Sequence, residues 1–202
     1  HKDACRILRP RSKFDQKGTD GHAKIIAGSY GKIGAAVLAS RAALRTGAGL
    51  VTVHVPGCGY SILQASVPEA MVETDSHDTL FSDSGDLDRY TTLGVGPGLG
   101  QDKLTVEALT RLLAKFRKPM VIDADALNIL SSHPKLLKDV PPGSILTPHP
   151  KEFERLAGSW KNDFERLEKQ QQLASSLNCI VILKGAYSSI AAPTGNVYFN
   201  SS

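Results

Sequence analysis

The sequence predicts an α/β domain: a mostly parallel central sheet with helices on both faces. Three observations carry this. Short apolar runs alternate along the chain with segments of helical periodicity, the pattern of repeated strand–helix–strand units. Several runs are apolar throughout, as in Cys179-Ile180-Val181-Ile182-Leu183, which suits strands buried on both faces of a parallel sheet. The chain has 202 residues, 41% of them apolar and 22% charged, which is enough for one ordinary globular core.

Residues 1–16 mix Arg6, Arg9, Arg11 and Lys13 with Pro10 and few apolar side chains, and read as a surface arm or linker before a domain over 17–202. The first strand is the short run 24–27, followed by a glycine-rich turn and an alanine- and leucine-rich helix over 35–46. The alternating, β-branched segment 50–55 is the second strand. A short helix over 60–65 and strands over 70–73 and 93–96 follow. Over 102–117 the residues Leu104, Ala108, Leu112 and Phe116 recur every fourth position beside Leu109 and Leu113, an amphipathic helix that Pro119 ends. Strands over 120–122 and 144–146 flank a helix over 126–131, and a helix over 150–156 carries Pro150 and Glu152 in its first turn. The segment 163–177 is amphipathic, with Phe164, Leu167, Ala174 and Leu177 on one side, and leads to the strand 179–183. A hairpin over 188–200 turns at Pro193-Thr194-Gly195.

Composition narrows the function. Net charge is a mild +4, no run of five like charges occurs and 6% of residues are aromatic, so nucleic acid is a poor partner. No stretch approaches the roughly 18 apolar residues of a membrane span. Cys5, Cys58 and Cys179 are odd in number and far apart, which fits a reducing, cytoplasmic setting rather than a disulfide framework or metal cluster.

In such a sheet, ligands bind at the carboxyl ends of the strands, so the residues just after each run matter most. After the first comes Gly28-Ser29-Tyr30-Gly31-Lys32-Ile33-Gly34-Ala35-Ala36, neither a dinucleotide fingerprint nor a Walker A loop. It reads equally as a tight turn or as backbone offered to an anion at a helix start. Gly94-Val95-Gly96-Pro97-Gly98-Leu99-Gly100 holds four glycines in seven residues, more backbone freedom than packing needs. Asp123 and Asp125 follow the strand 120–122 and can hold Mg²⁺ through water, position a polar substrate, or cap the next helix. Pro148 and Pro150 hold His149 extended at a helix start, and Glu152 can reach a metal or phosphate or complement that helix. Lys184-Gly185-Ala186-Tyr187-Ser188-Ser189, a lysine with glycine and hydroxyls, suits phosphate oxygens or serves as a plain turn.

In order, these pieces resemble the ADP/ATP-dependent NAD(P)H-hydrate dehydratase family of the ribokinase-like superfamily. Further matching pieces are Lys17-Gly18-Thr19, Gly21-His22-Ala23, Arg45-Thr46-Gly47-Ala48-Gly49-Leu50-Val51 and Val67-Pro68-Glu69-Ala70-Met71. The resemblance implies a lyase that restores NADH or NADPH from their hydrates with ADP or ATP and Mg²⁺, phosphorylating the added hydroxyl before phosphate leaves. By position it implies that Ala35, Gly98 and His149 contact the hydrate, and that Lys184, Gly185, Ala186, Tyr187 and Ser188 contact the adenine nucleotide. Asp123, Asp125 and Glu152 become candidates for metal or phosphate positioning.

One departure stands out. The family's glycine-rich anion site, with the aspartate that acts as catalytic base, follows the hairpin, and this chain ends at Ser202 before any such segment. The expectation is a ribokinase-like domain incomplete at its C-terminus, with no catalytic base of its own and an inactive or impaired reaction. Its uncovered sheet would favour a homo-oligomer, and its start at His1 suggests a longer parent, in this family often fused behind a hydrate epimerase. Two alternatives remain: a ribokinase-like small-molecule kinase, and a non-catalytic nucleotide-binding module.

Overall fold

The computed structural model describes Lys13 and residues 21–200. The arm assigned to residues 1–16, the Lys17-Gly18-Thr19 piece of the resemblance and Cys5 lie outside the described residues, apart from Lys13. Within them run β1 (His22–Ile26), α1 (Ile33–Arg45), β2 (Leu50–Val55), α2 (Tyr60–Ser66), β3 (Met71–Thr74) and β4 (Thr92–Val95). Then come α3 (Lys103–Lys115), β5 (Met120–Ile122), α4 (Ala124–Ser132), β6 (Ile145–Leu146), α5 (Pro150–Ala157), α6 (Asp163–Leu177), β7 (Ile180–Leu183), β8 (Ser188–Ala191) and β9 (Val197–Asn200).

All nine strands join one sheet in the order β3-β2-β1-β4-β5-β6-β7-β8-β9. Pairing is parallel from β3 across to β7, and β8 and β9 add antiparallel as the expected hairpin. The chain therefore builds outward from β1 to β3, then returns to lay β4 on the other side of β1. That reversal opens a crevice between the carboxyl ends of β1 and β4.

Side-chain alternation divides the core between the two faces. Ile25, Val51, Val53 and Val55 face α1 and α2. Ile26, Leu93, Val95, Met120, Ile122, Leu146, Val181 and Leu183 point the other way, onto α3, α4, α5 and α6. Two expected helix faces differ from their sequence reading. On α3 the expected Ala108, Leu109, Leu112, Leu113 and Phe116 are buried, but Thr105 takes the place of Leu104, which lies about 100° from it around the helix and is exposed. On α6 the buried positions are Gln170 and Ala174, and Phe164 is 81% exposed. Gln170 explains the difference there: its amide donates to the carbonyls of Val181 and Ser189 at 2.8 and 3.0 Å, while Ser189 Oγ donates back at 2.7 Å. A fully satisfied polar side chain takes the centre of the interface, where a hydrophobic reading places none.

The connection from β3 to β4, residues 75–91, crosses the sheet without helix or strand. A buried polar network holds it. Lys24 on β1 is fully buried and donates to Glu73 Oε2 at 2.7 Å and to the Ser84 carbonyl at 2.6 Å, with Tyr90 beneath its ammonium. Glu73 also accepts from Tyr90 Oη at 2.7 Å and pairs with Arg89. Asp75, at the end of β3, accepts from Ser82 N–H, Asp83 N–H and His77 N–H and pairs with buried His54 at 3.2 Å. Burial works to raise the Asp75 pKa, but the hydrogen bonds from His54, Ser82 and the Asp83 and Ser82 N–H groups overcome it and hold the carboxyl far below its ordinary value.

A lowered pKa means that the folded state prefers the ionised carboxylate. The stabilisation is complete above the unfolded aspartate's pKa and is lost as pH falls below about 4. Asp75→Asn is expected to cost about 2 kcal/mol at neutral pH, the scale of hydrogen bonds to a charged group, and to flatten the acid limb. Urea unfolding of both proteins between pH 3 and 7 checks this; parallel pH profiles would refute it.

Candidate functional site

Five strands that are neighbours in the sheet, β1, β4, β5, β6 and β7, carry the five candidate segments at their carboxyl ends. At the roughly 4.8 Å spacing of adjacent strands the row extends about 19 Å.

At the β1–β4 crevice the two glycine loops are bound to each other. Gly28 N–H donates to the Pro97 carbonyl at 2.8 Å, and Ser29 Oγ donates to the Gly98 carbonyl at 2.7 Å. Gly98 has a φ of +70°, and a Cβ there would lie 3.0 Å from Ala35 Cβ. Ala35 and Gly98, two of the proposed hydrate contacts, therefore share one wall. Ala35 sits in the first turn of α1, which has no side-chain cap and no acidic residue to occupy its positive end.

Asp123 and Asp125 flank Ala124, whose φ of +50° is unusual for a residue with a side chain. That twist sends the carboxylates apart. Asp123 accepts from Lys184 Nζ at 2.6 Å, tying the end of β7 to the end of β5. Asp125 accepts from Gly100 N–H at 2.8 Å and lies 3.7 Å from Lys32 Nζ, so it pins the second glycine loop. Neither side chain caps α4, although Asp123 stands at its N-cap position.

His149 is extended, with φ −80° and ψ 167°, and caps α5 with its own ring: Nδ1 accepts from the N–H groups of Lys151 and Glu152 at 3.1 and 3.3 Å. Glu152 closes the box, accepting from His149 N–H at 2.9 Å, and its other oxygen lies 3.3 Å from His149 Nε2. An Nδ1 that accepts leaves the ring proton on Nε2 in the neutral imidazole. Glu152 is buried against its own helix start.

Lys184 N–H is held by the Pro148 carbonyl at 3.0 Å, which fixes the turn after β7. Lys184, Gly185, Ala186 and Tyr187 line a cavity of about 210 Å³ together with Arg166 and Ser189. Ser188 opens β8 and is absent from that lining.

The model of the Carb_kinase family, described as NAD(P)H-hydrate dehydratase, matches residues 23–202. The chain belongs to the NAD(P)H-hydrate dehydratase family. It is 38% identical over 207 residues to the bifunctional NAD(P)H-hydrate repair enzyme Nnr of Moorella thermoacetica, a match over 97% of this chain and 39% of that protein. The chain thus spans about two fifths of that curated relative. Among solved structures, it is similar to a ribokinase-like superfamily protein of Enterococcus faecalis with a TM-score of 0.82 and 25% identity, covering 96% of this chain and 68% of that one. The Bacillus subtilis ADP/ATP-dependent NAD(P)H-hydrate dehydratase, co-crystallized with ATP and Mg²⁺, gives a TM-score of 0.79 and 29% identity over 96% of this chain and 69% of its own.

In this member of the family, six of the residues named from sequence fall into three linked groups: Ala35 with Gly98, Asp123 with Lys184, and His149 with Glu152. Asp123, Asp125 and Glu152 do not converge, and among the described residues no group of three or more His, Cys, Asp or Glu could hold a metal ion. Asp123 and Asp125 already accept from the chain's own donors, so a divalent cation fits here as one held largely by water and phosphate oxygens. Sequence reasoning passed over Lys32 and Ser29 as site residues, although both stand in the quoted glycine stretch. It had no means of finding Arg166, which lies in the middle of an ordinary helical pattern.

Proposed function

We propose that this chain binds NADH hydrate or NADPH hydrate and an adenine nucleotide with Mg²⁺ side by side, in the service of an ADP/ATP-dependent dehydratase that restores the reduced dinucleotide. The observation that carries this reading is the unbroken row of five functional segments on adjacent strand ends. At about 19 Å the row is wide enough for two ligands lying side by side across it, rather than one small alcohol. In the proposed reaction the nucleotide supplies a phosphoryl group to the added hydroxyl, phosphate departs with the C–O electron pair, and loss of a ring proton restores the double bond.

The chain's own residues bind and orient. Ala35 and Gly98 present backbone with almost no side chain, so a ring can approach closely. His149 presents a ring oriented at Nδ1 by two N–H donors and at Nε2 by Glu152. Lys184 is aimed by Asp123, which spares the nucleotide part of the cost of ordering a long side chain. The names of the Nnr relatives support a second repair activity in the parent protein, and a cytoplasmic setting belongs to the same reading. Self-association is supported by the outer sheet face, where Val121, Ile145, Ile180, Ile182, Ile190 and Tyr198 are exposed or half-buried on adjacent strands.

Calorimetric titration of the 202-residue chain tests the proposal. MgATP and hydrated NADH should each bind, and neither should exclude the other. Lys184→Ala should weaken MgATP at least tenfold, since a hydrogen bond to a charged group is worth about 1.5–3 kcal/mol and Asp123 would then face the phosphates unneutralised. Affinity for the hydrate should stay as it was. Failure to bind either ligand overturns the reading, and binding of hydroxymethylpyrimidine in place of the hydrate would favour a small-molecule kinase.

A further inference from the structure

Arg166 is a cation beside the nucleotide segment that the matched motifs leave out. It lines the 210 Å³ cavity beside Lys184 and Tyr187, and also an adjoining cavity of about 250 Å³ beside Tyr187, Phe164 and Phe199. Arg166, Tyr187 and Ser189 are common to both, so the guanidinium stands at their junction. Its ion-pair partner is Asp163, one turn earlier on α6 at 3.1 Å, with side-chain exposures of 36% for Arg166 and 83% for Asp163. An exposed i,i+3 pair of this kind restrains the guanidinium only weakly. Lys184 differs: its charge is already met by Asp123 at 2.6 Å.

We propose that Arg166 is a phosphate-binding residue of the nucleotide site, taking phosphate oxygens bidentately at the mouth between the two cavities. The inference rests on the nucleotide reading above and deepens it. Geometry and charge lead to the same assignment. A nucleotide has an anionic part and a flat apolar part, and the two cavities offer a cationic chamber and one edged by the aromatic rings of Phe164, Tyr187 and Phe199. The joint between those parts is where a planar, five-donor cation gives the most, because it can fork onto phosphate while its face lies along a ring. Arg166 is placed for this by helix geometry: Gln170, one turn later on the same side of α6, is locked to the carbonyls of Val181 and Ser189. Position 166 therefore cannot rotate away from the β7–β8 turn without breaking a buried, fully satisfied amide.

The test compares MgATP, ADP and adenosine binding to the wild-type chain, Arg166→Ala, Arg166→Lys and Lys184→Ala by calorimetry, with circular dichroism and thermal midpoints confirming folding. Arg166→Ala should weaken MgATP and ADP by about tenfold or more and leave adenosine unchanged. Arg166→Lys should recover only part of the loss, because a point charge cannot fork. Equal loss for adenosine and ADP would overturn the phosphate assignment, as would full recovery in Arg166→Lys. If the wild type binds MgATP and Lys184→Ala weakens it while Arg166→Ala does not, this inference falls and the nucleotide reading stands. If the wild type binds no adenine nucleotide, the nucleotide reading itself has failed.

Discussion

Lys24→Met is expected to lower stability by about 3 kcal/mol, the low end of the cost of breaking a buried ion pair, and the melting midpoint by roughly 6–12 °C for a domain of this size. Two effects compete. Met fills most of the space of a lysine stem and pays no desolvation, and whole buried ion pairs replaced by hydrophobic groups are often no less stable. Here only one member is removed. Glu73 keeps Arg89 and the Tyr90 hydroxyl, so it is not stranded, which places the loss at the low end. The Ser84 carbonyl, by contrast, loses its 2.6 Å donor inside the protein. Burial works to raise the Glu73 pKa, and the hydrogen bonds from Lys24 and Tyr90 and the charges of Lys24 and Arg89 bring it below its ordinary value. Taking Lys24 away reverses part of that balance. A double-mutant cycle with Glu73→Gln measures the coupling in urea, and limited proteolysis reads the release of residues 75–91. A Lys24→Met protein as stable as the wild type, with no new cleavage, would show that the network is not what orders this segment.

That network also marks where sequence reasoning stops. Lys24 reads as the first residue of an apolar run, and nothing local says that a lysine there is fully buried. Its partners Glu73 and Ser84 lie 49 and 60 residues away, and only the parallel pairing of β1, β2 and β3 brings them together. By contrast, the strands and helices themselves were legible because each rests on periodicity within a dozen residues. α4 begins two residues before its expected start, and Ala124 there adopts a positive φ that alanine does not advertise. A rule that counts apolar residues places Phe164 and Leu104 on buried faces, because it cannot see that Gln170 and Thr105 are satisfied inside.

The site was legible one strand end at a time. Glycines, a histidine between prolines and a lysine before a glycine each announce special backbone or chemistry. What the sequence withheld was their order in space, since Asp123 and Lys184 are 61 residues apart and meet only because β5, β6 and β7 are neighbours. Roles were harder still. His149 and Glu152 are occupied in capping α5, a local function that the proline spacing foreshadows, and ligand contact must coexist with it.

Gly96→Ala is expected to be the most damaging single methyl in the domain, with a loss of about 4 kcal/mol assembled from overpacking and from a backbone region closed to side chains. A Cβ at Gly96, whose φ is +131°, would fall 1.8 Å from the Asp123 carbonyl oxygen and 2.8 Å from its carbon. Those are backbone atoms, so no rotamer change relieves the clash. The carbonyl has no free direction either: it accepts from Ala126 N–H at 3.2 Å to start α4, while Asp123 N–H is bound to the Val95 carbonyl at 3.1 Å. Relief has to come from moving Asp123, and Asp123 aims Lys184. The variant should therefore lose nucleotide affinity as well as stability, with a midpoint about 8–16 °C lower. Gly100→Ala is the control. Its φ of +77° is also positive, but a Cβ there meets nothing within 4 Å, so only backbone strain of about 1–2 kcal/mol remains. Thermal unfolding of both variants with MgATP titration at 15 °C separates the two costs. If Gly96→Ala melts no lower than Gly100→Ala, the close approach of β4 to the Asp123 carbonyl is not the constraint that the structure implies.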